Sequence, residues 1–172
     1  MDLTVRLNDL LDYTEWERDT WKAWFAEQGD KALNTSMGGN GDGRFSTVTD
    51  IVRHIFSAER RYVDRLSGRP ITDPATIPAE FPAVFAFGRQ SRTDLRELVA
   101  TFPVDRWDTP EEHKILTSTL RLTPRKVVLH VVMHEIRHWA QIATVLRMSG
   151  MKGAFHDVLF SPILGGDPRA KA

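Results

Sequence analysis

Four long stretches of this chain place apolar residues at every third or fourth position, and that rhythm confines the fold to packed helices. The first runs from Leu3 to about Gln28, with Leu7, Leu10, Leu11, Trp16, Trp21, Trp24 and Phe25 along it and a stop near Gly29. The second opens on Ser46, Thr47 or Thr49 as a capping residue and carries Val48, Ile51, Val52, Ile55, Phe56, Tyr62, Val63 and Leu66, with Gly68 and Pro70 ending it. A third spans roughly Pro82 to Phe102. The fourth has Thr123 as cap, Pro124 at the first helical position and Gly150 just past the end, which predicts a helix from Pro124 to about Ser149.

The connections are less regular. Residues 29–50 form a polar, glycine-rich run in which Gly38 and Gly43 have P-loop spacing, but Arg44 and Phe45 stand where Lys and Ser or Thr are required. Its Asn-Gly-Asp-Gly stretch lacks the alternating carboxylates of a calcium loop. The run is expected to be a flexible connection. Pro70, Pro74, Pro78 and Pro82 predict an extended crossover. The weak alternation of residues 114–122 fits either a short strand or an irregular arm, and Phe155 to Phe160 is expected to add a short helix. With no βαβ pattern, internal repeat or second-domain boundary, the expectation is an all-α four-helix bundle with long crossovers, one domain over residues 1–172.

Composition removes several function classes. A chain of 172 residues buries roughly 70% of its unfolded surface, and it holds no cysteine, so it has no disulfide framework, thiolate metal site or nucleophilic thiol of its own. Equal counts of 23 basic and 23 acidic residues give no summed positive field for nucleic acid. No segment approaches the roughly 18 apolar residues of a membrane span, and residues 1–11 lack the apolar core of a signal peptide, so a cytoplasmic protein is expected.

The chemistry concentrates in the fourth helix. His130, His134 and His138 follow one another at intervals of four, which brings each neighbouring pair onto one helix face, about 40° apart around the axis. Spacing alone does not choose between the pair His130 and His134 and the pair His134 and His138. On the second helix His54 sits among Ile51, Ile55 and Ala58, on or beside the inward face. A lone core histidine is ordinarily satisfied by a carboxylate or carbonyl. Three imidazoles converging from two helices instead call for a shared cation. Neutral nitrogens without cysteine suit Zn²⁺, Ni²⁺ or another late divalent ion, with a coordination position left open. His113 and His156 fall on connections read as exposed.

His134-Glu135-Ile136-Arg137-His138 also spells the zinc-peptidase signature, in which the glutamate is a general base. Such an enzyme needs a third ligand downstream. No Glu follows His138, Gln141 and Thr144 occupy the positions of the extended motif, and only His156, Asp157 and Asp167 remain. Glu135 is therefore either a base for metal-activated water or an exposed salt-bridging residue. Asp50 one turn before His54, and Glu59 and Tyr62 beyond it, are candidates for orienting His54 or lining the mouth of the site, with capping, surface or core placement as the ordinary alternatives.

The stretches VRHIFSAERRYV around His54 and VLHVVMHEIRHWAQI around the later histidines resemble the DinB/YfiT-like family of putative metalloenzymes, nearly the whole chain through and in the same helix order. The resemblance implies a triad of His54, His134 and His138, leaves His130 as a non-ligand, and places Gln141 three residues after the last ligand. One departure is Trp139-Ala140, where many relatives have Arg-Gly. It further implies a zinc or nickel site, a homodimer, and in some relatives transfer reactions with low-molecular-weight thiols such as bacillithiol, mycothiol or glutathione. Three functions follow as expectations: a thiol transferase acting on a small-molecule substrate, a metal-dependent hydrolase, or a stress-response protein with a structural ion.

Overall fold

A computed structural model describes residues 5–115 and 117–165. The fold is all-α, with helices α1 (Leu7–Gln28), α2 (Asp30–Leu33), α3 (Val48–Leu66), α4 (Ala83–Thr101) and α5 (Pro124–Met148) and one small hairpin, β1 (Glu111–Ile115) and β2 (Ser118–Leu122). No helix among the described residues is long and apolar enough to cross a membrane. The chain divides into two compact units, one of residues 1–49 and 135–172, the other of residues 50–134. The continuous helix α5 contributes to both.

In the first unit, α1 begins at Leu7 rather than Leu3. Residues 5 and 6 are not helical, and the Arg6 N–H donates to the Asp9 carboxylate at 2.9 Å, which closes the first turn. The start expected at Leu3 lies outside the described residues. At the other end Gly29, with φ of 66°, donates its N–H to the Phe25 carbonyl. Leu11, Trp21 and Phe25 from α1 are buried, as are Trp139, Ile142 and Leu146 from α5. Trp21 stacks on Trp139 with ring centroids 5.5 Å apart and planes 12° from parallel.

The glycine-rich run is not the flexible connection expected of it. Its two ends pair through an isolated bridge, Ser36 with Thr47, where Met37 N–H donates to Ser46 O at 2.9 Å and Val48 N–H to Thr35 O at 3.0 Å. Leu33 and Met37 are buried on either side of the bridge. These apolar residues give the run a core to fold on, a signal that its polar composition masks. Between the bridge strands a 3-10 turn, Gly38–Gly41, lets the chain pass close to Met37: a Cβ on Gly41 would lie 3.0 Å from the Met37 Cβ.

In the second unit, Ile51, Val52, Ile55, Phe56 and Val63 of α3 are buried, together with Val84, Phe85 and Leu95 of α4 and Val127, Val128, Val131 and Val132 of α5. Phe56 meets Phe85 edge to face at 5.4 Å. Gly88 permits this, because any Cβ there would lie 2.7 Å from the Phe56 ring. Glu59 is buried and accepts from Arg92 at 2.9 and 3.0 Å, which makes it a structural ion-pair partner. The proline-rich crossover is fastened to α3: Asp64 accepts from Thr72 N–H at 3.0 Å and Thr72 Oγ1 at 2.7 Å, and Arg53 donates to Ile77 O at 2.8 Å.

The doubtful stretch before α5 is an antiparallel hairpin that pairs His113 with Leu120 and Glu111 with Leu122. His113 is buried, against the reading of it as exposed, because its position on β1 turns it inward between outward-facing Glu112 and Lys114. The start of α5 is as its sequence predicts, with Thr123 Oγ1 accepting from Lys126 N–H at 3.2 Å. At the other end Gly150 and Met151 donate to Arg147 O and Leu146 O in a Schellman closure. Phe155 to Phe160 yields only a 3-10 turn, Val158–Phe160, opened by Asp157, whose side chain accepts from the Leu159 N–H.

Candidate metal centre

His54 on α3 and His134 on α5 face each other with their Nε2 atoms 3.0 Å apart. Two neutral imidazoles meeting through the same nitrogen share at most one proton between two lone pairs, so the contact is ready for a cation. Nitrogen ligands about 2.1 Å from one ion lie roughly 3.0 Å apart at a right angle and about 3.4 Å apart in a tetrahedron.

His138 follows one turn further along the same helix. One ligand nitrogen from each of His54, His134 and His138 lies within 4.8 Å of the other two. His130, one turn the other way, packs edge-on to Tyr62 at 5.4 Å and stands outside this group.

His138 is set in its ligand form by a chain of hydrogen bonds whose direction is fixed by chemistry. The Asn40 carbonyl only accepts, so the Gln141 side-chain nitrogen must point to it. That orients Gln141 Oε1, also only an acceptor, toward His138 Nδ1 at 2.8 Å. The proton of the neutral ring is thereby held on Nδ1, and the lone pair is on Nε2. Burial pushes the His138 pKa below its ordinary value, with the charges of Arg137 and Arg44 acting in the same direction against the Gln141 hydrogen bond. Neutral imidazole, the form that ligates, is the favoured one.

Glu135 lies between the two α5 ligands and is 1% exposed, where an exposed residue was expected. Its carboxylate takes a two-pronged contact from Arg18, Nε to Oε1 at 2.5 Å and Nη2 to Oε2 at 2.8 Å, and Trp139 Nε1 donates to Oε1 at 3.1 Å. The salt bridge expected of it therefore exists, but in the interior. The partner is visible in the sequence in retrospect: Arg18 interrupts the stripe Leu11, Thr14, Trp21, Phe25, and a charge on a buried stripe needs a buried counter-charge.

His156 is likewise not on an open connection. Its Nδ1 is 2.5 Å from Oε1 of the fully buried Glu17, and its ring lies 5.1 Å from Trp21. Burial pushes the Glu17 pKa up to about 7, against the pull of the His156 hydrogen bond and charge.

Compared with known families, the chain matches the DinB superfamily over residues 13–142, a span of 130 residues out of 172 that contains all three histidines and Gln141. No curated protein matches it.

Proposed function

Because this chain belongs to the DinB superfamily, we propose that it is a cytoplasmic metal-dependent enzyme in which His54, His134 and His138 hold one divalent ion, zinc or nickel. The observation that supports this is the group of three imidazoles, with its facing Nε2 atoms and with His138 held as the Nε2 lone-pair donor. When bound, the ion supplies Lewis acidity at an open position, enough to keep a thiol ionised at neutral pH. Lacking cysteine, the protein takes its sulfur from a low-molecular-weight thiol cosubstrate. That thiol would release its proton to solvent water, its sulfur would bond to an electrophilic carbon of the second substrate, and the leaving group would depart with its electron pair.

Of the two roles open to Glu135, we assign positioning. To act as a base it would have to give up a two-pronged buried ion pair with Arg18 and the Trp139 hydrogen bond, both of which favour its staying where it is. Held in place, it fixes the rotation of α5 between the two ligands. A homodimer belongs to the same proposal, and the exposed Leu129 and Met133, one turn apart on α5, offer it apolar surface.

The test pairs purified protein, loaded with Zn²⁺ or Ni²⁺, with bacillithiol, mycothiol or glutathione and model electrophiles. Turnover that is lost on chelation and in His134→Ala supports the transferase. Chelator-sensitive hydrolysis without any thiol requirement would replace it with the hydrolase reading, and bound ion with no turnover would leave a structural metal.

A further inference from the structure

Beside α1 lies a cavity of about 450 Å³ that the metal centre does not use. Tyr13 and Glu17 line it from α1, Ala140 from α5, and Phe155, His156 and Asp157 from the segment after α5. Its chemistry is unusual for an ordinary surface cleft. Glu17 is fully buried, and while Oε1 meets His156, its Oε2 is buried without a hydrogen-bond partner among the described residues. His156 is itself pinned, since its carbonyl accepts from Tyr13 Oη at 2.9 Å and its ring lies against Trp21.

A buried carboxylate oxygen without a donor destabilises the fold, so a native fold that keeps one invites a ligand that supplies the donor. The charged groups around the cavity select its sign. Glu17 and Asp157 are acidic; burial pushes the Tyr13 pKa upward, and the charges of these two carboxylates act in the same direction. Among the described residues lining the cavity, Arg147 is the one permanent cation, and it is engaged with Thr144 Oγ1 at 3.1 Å. Tyr13 and Phe155 add aromatic faces suited to a cation, and Ile136, Ala154 and Val158 add apolar wall.

We propose that this cavity is a second binding site, independent of the metal centre, for a small organic amine whose ammonium donates to Glu17 Oε2 and whose apolar body lies along Phe155 and Ala140. Three probes of one shape decide it: phenethylamine, 2-phenylethanol and 3-phenylpropionate, titrated into full-length protein near pH 8 by calorimetry and by amide NMR shifts. Phenethylamine is expected to saturate with about millimolar affinity or tighter and to shift Ala140, Phe155 and His156, the alcohol to bind more weakly, and the carboxylate not to bind. Glu17→Gln should weaken the amine about tenfold or more, as loss of a charge-assisted hydrogen bond requires. Ala140→Phe, at an exposed helix position, fills the space and should abolish binding even if Glu17→Gln fails to fold. The proposal is overturned if no probe saturates, if amine and carboxylate bind alike, or if amine binding survives Ala140→Phe.

Discussion

Replacing Gln141 with Met tests whether the hydrogen-bond chain from Asn40 prepares His138 as a ligand. The substitution keeps the length of the side chain and removes the acceptor 2.8 Å from Nδ1. At a side chain as buried as His138, 7% exposed, an unmet ring N–H costs about 1–3 kcal/mol. That range matches the ten- to hundredfold losses of metal affinity, about 1.4 to 2.7 kcal/mol, that follow removal of an outer partner of a ligating histidine. Gln141→Glu separates two explanations: it keeps an acceptor for Nδ1–H but sets a carboxylate against the Asn40 carbonyl. Chelator-competition titration with Zn²⁺ should find Gln141→Met weakened within that range and Gln141→Glu close to the parent. Nitrogen-15 spectra of the metal-free protein should show the His138 proton on Nδ1 in the parent and redistributed in Gln141→Met. Unchanged zinc affinity in Gln141→Met, or an Nε2-protonated ring in the parent, would refute the argument, and equal losses in both variants would transfer the effect to the loop that Asn40 belongs to.

Arg18→Met strands the Glu135 carboxylate without its guanidinium and should destabilise by about 3–5 kcal/mol in denaturant melts, with zinc affinity falling as well if α5 loses its setting. A loss below about 1 kcal/mol would show the pair to be dispensable. Glu17 has a raised folded pKa of about 7, so its protonated form is favoured on folding: the stability it contributes is whole below the unfolded carboxylate value and is lost as pH rises through about 7. Unfolding free energy should thus fall by a few kcal/mol between about pH 5 and pH 8 more steeply in the parent than in Glu17→Gln, and parallel curves would contradict it. Gly88→Ala drives a methyl into the Phe56 ring and should cost about 1–3 kcal/mol, with a smaller loss when Phe56→Leu is added; additive losses would show that the two do not touch.

The boundaries of α5 were legible because Thr123, Pro124 and Gly150 act through bonds to residues at most a few positions away. The same holds for the three histidines, since four-residue spacing converts directly into a shared face. What the sequence did not disclose depends on partners distant along the chain. Glu135 and Arg18 are 117 positions apart, and His156 and Glu17 are 139 apart, so whether each charge is exposed or buried was decided by packing that no local pattern encodes. The glycine-rich run differs for the opposite reason: its composition is that of a linker, and a few scattered apolar side chains, Leu33 and Met37 with Ala32 and Val48, give it a place to settle. The short hairpin is ambiguous in the sequence because five-residue strands carry too little alternation to separate from an irregular arm.

The clamp on Glu135 has a consequence for anyone who reads enzymes from strings of letters. The H-E-x-x-H letters taken alone point to a peptidase, and a designer would be tempted to graft on a missing downstream ligand and expect proteolysis. The graft would not be enough, because the residue at the position of the base is already tied to a guanidinium and an indole. Converting the scaffold would require emptying that arrangement first, and each tie removed to free the carboxylate loosens the helix on which two of the imidazoles ride.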